Sequence, residues 1–427
     1  MTMIDTSRRN FFVTAAGVGA AVALTGCGTR KENESGAHVP AAPANTPIAK
    51  AEPITKAERN ARLGRAQALM RANGVSAMLV EGGSTLDYFT GVKWGRSERL
   101  TAALLPVEGE LVMVTPGFEQ PRVVEMLAVP GEVRVWQEDE DPSRLVAGWL
   151  QERKLASGKI AVEDTVRYFA IDGLQKALPG VRIVSGAPIV NGCRMIKTPA
   201  EIALMQRAAD ITVAAYRSLP PKIEAGMSGA DVMQLMRAAI MSFGADTASG
   251  STTVDRATAA PHGLKEPQLI HAGSIILMDC GCTVDGYYAD ISRTFIFGEP
   301  SREQRKRWDD AAHGQQVALE AAKIGAPAGS VDDAVRAYYE KLGYGPGYKL
   351  PGLPHRTGHG IGMDMHEPVN LVRGEKTPLA AGMCFSNEPG LYATGGFGAR
   401  VEDCFYMTPE GARFFSTPPT SLDHPFG

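Results

Sequence analysis

Cysteine is scarce in this chain, with six in 427 residues, too few for a disulfide framework at this size. An excess of either charge is equally lacking. The 44 Lys and Arg residues nearly balance the 47 Asp and Glu, leaving a formal net charge of −3, and the basic residues form no block. Such a surface offers no electrostatic footprint for nucleic acid, so none is expected as a partner. Long hydrophobic runs are missing too: beyond the first thirty residues no apolar stretch reaches the roughly eighteen needed to span a bilayer. What is present, 44% hydrophobic residues over this length, suffices for two domains with a core each.

The first residues form a class of their own. Ser7-Arg8-Arg9-Asn10-Phe11-Phe12 is followed by an apolar segment from Val13 to Leu24 and then by Thr25-Gly26-Cys27. This resembles a twin-arginine export signal ending in a lipobox. It implies a signal over residues 1–27, lipid on Cys27 as the membrane anchor, and a periplasmic, membrane-anchored lipoprotein. Residues 28–54 are rich in Ala, Pro, Lys and Glu and poor in large apolar side chains, a composition expected to give a disordered tether. Cys193, Cys280, Cys282, Cys384 and Cys404 are expected as free, buried thiols.

From Thr55 the pattern becomes that of a folded α/β chain. Thr55-Lys56-Ala57-Glu58 reads as a helix start and Gly74 as its stop. Strand-like runs at 75–80, 101–105, 111–115, 133–136, 159–162 and 181–184 alternate with helical ones near 120–127, 144–153 and 166–178. They define a first domain over residues 55–192, with a charged loop at 93–99 that either reaches a neighbouring cleft or is simply solvated. A second domain, 193–427, opens with the capping box Thr198-Pro199-Ala200-Glu201. Helices are expected to about 219, near 230–243, at 303–324 and at 331–342, with strands near 274–281, 292–297, 385–388 and 400–407.

The chemistry concentrates in the second domain. His355, His359 and His366 fall within twelve positions, spaced by glycines, and imidazoles so placed suit metal binding and proton transfer. Asp279 ends an apolar strand and Asp290 follows eleven residues later across the turn Val284-Asp285-Gly286. The hairpin this predicts would let the two side chains face each other. Glu388 and Glu402 sit in similarly apolar, strand-like surroundings. Four neighbouring carboxylates cannot all stay ionised, because each like-charged pair at ~4 Å costs about 4 kcal/mol at an effective dielectric of 20. Two divalent cations would neutralise them, and donors that are mostly oxygen favour manganese or cobalt, with iron or zinc as alternatives.

Asp279, Asp290, His359, Glu388 and Glu402, in D-x-G, G-Y-x-x-D-x-S-R-T, H-x-x-G-H-G-x-G-x-x-x-H-E, E-P-G-L-Y and R-V-E-D, resemble the five metal ligands of the pita-bread metallopeptidases. The preceding domain is similar to that of the Xaa-Pro dipeptidase (prolidase) and aminopeptidase P branch. The resemblance implies a creatinase/prolidase-like α/β domain followed by a pita-bread catalytic domain. It implies two metal ions: Asp279 on one, His359 and Glu388 on the other, Asp290 and Glu402 bridging, with a hydroxide between them as nucleophile. Glu388 would be the general base, His262 would contact substrate, and His366 would stabilise the tetrahedral intermediate. His355 would line the proline pocket, and Arg400 would orient the carboxylates. Ser292, where the family often has Thr, is a small departure.

The expected reaction is hydrolysis of the bond before proline in dipeptides or short peptides, by a chain that is often a homodimer in this family. A dipeptidase must also recognise a free carboxylate; Arg373, Arg356, Arg96 and Arg99 are the candidates, Arg373 foremost. Aminopeptidase P activity is the alternative. A lipid-anchored, non-catalytic peptide-binding protein is a third reading, separable because Glu388→Ala would spare binding and abolish hydrolysis.

Overall fold

The computed structural model describes residues 38–40 and 47–427. The expected export signal, its lipobox and Cys27 lie outside the described residues. The tether expected over 28–54 needs a correction where it is described. Residues 38–40 and 47–54 carry no helix or strand, yet Val39 and Ile54 are buried on the folded body. Gly298 donates to the His38 carbonyl (2.8 Å) and Arg207 to the Ala49 carbonyl (2.7 Å). Composition counted too few apolar groups for an independent core, but a segment laid on an existing surface needs only a few anchors.

The first half runs α1 (Lys56–Asn73), β1 (Val75–Glu81), α2 (Ser84–Thr90), β2 (Ala102–Pro106), β3 (Leu111–Pro116), α3 (Gln120–Met126) and β4 (Gly131–Trp136). It continues with α4 (Pro142–Glu152), β5 (Lys159–Val162), α5 (Tyr168–Ala177), β6 (Arg182–Ser185) and α6 (Ala187–Arg194). Thr55 caps α1 by accepting the Glu58 N–H, and Gly74 closes it with a left-handed backbone, φ 62°. The strands form one mixed sheet in the order β4-β3-β2-β1-β5-β6. Central β1 is buried on both faces: Ala77 and Leu79 pack with Trp149 and Leu174, whereas Met78 and Val80 pack with Met70 and Phe89.

The second half runs α7 (Pro199–Arg217), α8 (Gly229–Ser242), β7 (Thr247–Val254), β8 (Ser274–Val284), β9 (Tyr287–Phe297), α9 (Arg302–Ala321), α10 (Gly329–Lys341) and β10 (Gly358–Gly360). Then follow β11 (Glu367–Leu371), β12 (Cys384–Asn387), β13 (Leu391–Tyr392), β14 (Gly398–Ala399), β15 (Asp403–Thr408) and β16 (Gly411–Phe414). The Thr198 capping box is complete, with Pro199 at the first turn of α7. Strands β7-β8-β9 make an antiparallel sheet and β11-β10-β12-β15-β16 a second one. An isolated bridge between Ser292 and Glu402 links them. Arg293, 1% exposed, reinforces that link from inside: its Nη2 donates to Asp403 at 2.7 Å and its Nη1 to the Glu402 carbonyl at 2.8 Å. The architecture is the expected mixed α/β one. Among the described residues no helix is long and apolar enough to cross a membrane.

Candidate metal centre

The hairpin β8–β9 forms with its turn at the expected place, and its register decides where the first two acids point. Asp279 pairs with Ser292 and Gly281 with Asp290, so the two aspartates are diagonal neighbours on one face rather than directly opposed. Glycine is required at 281: a Cβ there would lie 1.9 Å from the Ala289 carbonyl oxygen. Bridge hydrogen bonds between Ser292 and Glu402, at 3.2 and 3.1 Å, bring the third acid alongside. Strand β10 supplies His359, whose N–H donates to Ser386 Oγ at 3.0 Å, and Glu388 directly follows β12, its N–H donating to the Thr357 carbonyl at 2.9 Å. Five predicted ligands from separate stretches of chain thus come together at one site.

Ligand atoms of Asp290, His359 and Glu402 all lie within 4.8 Å of one another. His359 Nε2 is 3.3 Å from Glu388 Oε1 and 3.8 Å from Asp290 Oδ2. Its Nδ1 faces the Gly360 carbonyl at 3.0 Å. A carbonyl only accepts, so Nδ1 carries the hydrogen and Nε2 turns a lone pair to the acids. Burial drives the His359 pKa down to about 3, so the ring is neutral, as a ligand must be. Burial, then the neighbouring carboxylates, push Asp290 and Glu402 well above the ordinary range. Burial likewise raises Glu388 to about 7, against the pull of Arg400. Four acids, one neutral imidazole with a free lone pair, and an excess of buried negative charge fit divalent cations by the chemistry of the donors alone.

Arg400, 4% exposed, is the cation among these acids. Its Nη2 lies 2.6 Å from Asp279 Oδ2, Nε 3.5 Å from Glu402 Oε2 and Nη1 3.8 Å from Glu388 Oε2. Two partners of this arginine were not anticipated as functional. Ser292 Oγ accepts from Arg400 Nε at 2.9 Å and lies 2.5 Å from Glu402 Oε2; the hydroxyl that serine shares with threonine is what the position uses. Tyr392 Oη accepts from Arg400 Nη1 at 3.3 Å and stands 3.4 Å from His355 Nε2. The only signal for Tyr392 was its place in E-P-G-L-Y.

These groups open onto a cleft of about 860 Å³, lined by His262, His355, His366, Arg356, Glu388 and Arg400 among others. His355 Nδ1 donates to the Arg356 carbonyl at 2.8 Å while Nε2 faces Tyr392. Burial lowers its pKa to about 4. With both nitrogens engaged, His355 offers the cleft a ring face rather than a proton. His262 and His366 are exposed at the cleft wall, and the His366 ring meets His359 edge to face at 4.2 Å.

Arg373 is not part of this wall, which corrects the expectation that it binds substrate. Its Nε pairs with Asp333 at 2.8 Å on an exposed surface, because the chain leaving β11 turns towards α10. Arg96 is tied to the Gly82 carbonyl and Arg99 to Glu138. The loop carrying them reaches the β8–β9 turn instead of the cleft, Lys93 pairing with Asp285 at 2.8 Å. Of the four candidate arginines only Arg356 lines the cleft. Among the described residues its side chain makes one hydrogen bond, Nη1 to Asn370 Oδ1 at 2.9 Å, and the rest of its donor fork has no partner there. Arg256, not anticipated, lines the outer part and pairs with Glu266.

Comparison with known proteins agrees with this geometry. Residues 203–409 match the model of metallopeptidase family M24 and residues 62–196 that of the creatinase/prolidase N-terminal domain. The chain is 31% identical to the Xaa-Pro dipeptidase of Lactobacillus helveticus over 78% of its own length and 90% of that protein's. The crystal structure of dipeptidase PepE from Mycobacterium ulcerans superposes with a TM-score of 0.79 at 31% identity, covering 87% of this chain and 99% of that one. Recombinant prolidase from Thermococcus sibiricus gives 0.78 at 29%, covering 84% and 97%. A non-catalytic peptide binder finds no support in these matches.

Proposed function

The chain belongs to metallopeptidase family M24, and from that premise we propose that it hydrolyses the bond before proline in Xaa-Pro dipeptides. The observation that carries this reading over aminopeptidase P is Arg356. A dipeptide presents its own carboxylate one residue beyond the scissile bond, and an arginine with an uncommitted fork in the cleft wall is the natural partner for that charge. Relatives named as dipeptidases support the same choice.

Asp279, Asp290, His359, Glu388 and Glu402 would hold two divalent cations, which when bound lower the pKa of water and polarise a carbonyl. The remaining work falls to the chain. Glu388 takes the proton released as water attacks the scissile carbonyl and returns it to the proline nitrogen. His366 and His262 flank the cleft mouth, where their N–H groups donate to the oxygen that becomes negative. The His355 ring face packs against the proline. Arg400 keeps Asp279, Glu388 and Glu402 in place.

The test is hydrolysis of Ala-Pro beside Ala-Pro-Ala by the full chain, with manganese and after chelation. We expect metal-dependent cleavage of Ala-Pro, and Arg356→Met should raise its KM about 10–100-fold with a smaller change in kcat. Glu388→Gln should lower kcat by about 10²–10⁴. Preference for the tripeptide would overturn the dipeptidase reading, and activity that survives complete chelation would overturn the metal assignment.

A further inference from the structure

His366 lines the large cleft but makes no hydrogen bond among the described residues; its described contact is the ring edge against His359. Something else must fix its backbone. The next residue, Glu367, is 6% exposed and lies between two cations. Arg194 Nη2 donates to its Oε1 at 2.5 Å, and Lys197 Nζ to its Oε2 at 2.9 Å. The same Oε1 accepts the Asp364 N–H at 3.2 Å, so the carboxylate also gathers the loop that leads to His366. At Gly362 a Cβ would lie 2.7 Å from that oxygen, so the loop closes around the carboxylate with no room for a side chain.

The cations come from outside the M24 match. Arg194 ends α6 within the creatinase/prolidase-type region, and Lys197 lies in the connection that follows. Arg194 is itself fixed from the first domain, its Nη1 donating to Ser84 Oγ at 3.0 Å and Thr85 Oγ1 at 2.8 Å at the start of α2. Its Nη2 also reaches Asp364 Oδ2 at 2.9 Å. Two cations thus face two acids, a balanced set in which each group satisfies another. Burial alone would raise the Glu367 pKa; Arg194 and Lys197 outweigh it and hold it at about 2, so the pair stays ionised. A second cavity of about 180 Å³ lies beside this set, and His366 lines it as well as the cleft. His366 therefore borders both the cleft and the cavity beside Arg194 and Glu367.

We propose that Arg194 and Lys197 are positioning residues for catalysis: by clamping Glu367 they set His366, so that the end of the creatinase/prolidase-type region and the connection after it complete the active site. Neither lines the large cleft. The inference rests on reading the cleft as a peptidase centre, and the experiment separates the two. Steady-state Ala-Pro hydrolysis and bound metal are measured for the full chain, for Arg194→Met, for His366→Ala and for the double variant.

Acting through His366, Arg194→Met lowers kcat about 10–100-fold with KM within about twofold and metal content unchanged. In the His366→Ala background the same change costs less than about threefold. Arg194→Lys, which retains a donor for Glu367, recovers part of kcat. An equal factor in both backgrounds, or a change confined to KM, would overturn the clamp. If Arg194→Met does not fold, Lys197→Gln is carried through the same cycle and is read the same way. An unaltered chain without hydrolytic activity would overturn the peptidase reading, and the clamp with it.

Discussion

Glu388 sits in a place that resists ionisation, and so do Asp290 and Glu402, all three of which burial shifts upward. In the metal-free folded chain these groups keep protons that the unfolded chain releases. For Glu388 the window runs from its ordinary 4.5 to about 7. A raised folded pKa means stability that is present below the lower value and lost as pH rises through the upper one. The chelated protein should therefore lose on the order of 3 kcal/mol from this group between pH 4.5 and 8. Cations compete with those protons, so loaded protein should escape the loss and uptake should tighten with pH. Calorimetric Tm values with and without chelator check this; parallel curves would sink it. The five candidate ligands were legible because a carboxylate in an apolar strand is costly to bury unless a cation neutralises it, and four such acids beside a histidine suggest more than one cation. Arg356 was one candidate among four and could not be singled out, since its value lies in which way the loop at 355–356 faces.

Among the elements, the longer strands and helices followed their patterns, while α2, α6, β7 and the short strands β10, β11, β13, β14 and β16 did not announce themselves. In α2 every residue from Thr85 to Thr90 is buried, which erases the one-sided periodicity by which a helix is read. Strand β7, Thr-Ala-Ser-Gly-Ser-Thr-Thr-Val, is largely polar and partly exposed, so no alternation marks it; it is held by pairing with β8. Helix α10 matters beyond its own packing. Arg336, 2% exposed, donates to Asp332 at 2.8 Å and to the carbonyls of Leu353 and His355 at 3.0 and 2.6 Å. Asp332 in turn accepts from the N–H and hydroxyl of Thr357. This helix thus sets the stretch that enters β10. Arg336→Met leaves Asp332 buried without its cation and should cost about 3–5 kcal/mol in urea denaturation, with weaker activity as His355 loosens. A loss below about 1 kcal/mol would show the pair to be dispensable.

At the scale of the whole molecule, the sequence marks two domains and a family, but the clamp between them was hidden. Arg194 and Lys197 look like ordinary helix-end charges, and Glu367 like the second half of a His-Glu pair, until the fold brings them together over more than 160 residues of chain. Pattern reading works along the chain, and such contacts run across it. The buried thiols carry a different consequence. Cys193 and Cys282 are pushed up to about 11 and Cys384 to about 12 by burial, and Cys280 and Cys404 are raised as well. A thiol so protected reacts with an alkylating reagent only when the fold opens. These five positions form a clock for unfolding: in the full chain they should be labelled slowly and together, at a rate that quickens once a chelator strips the centre.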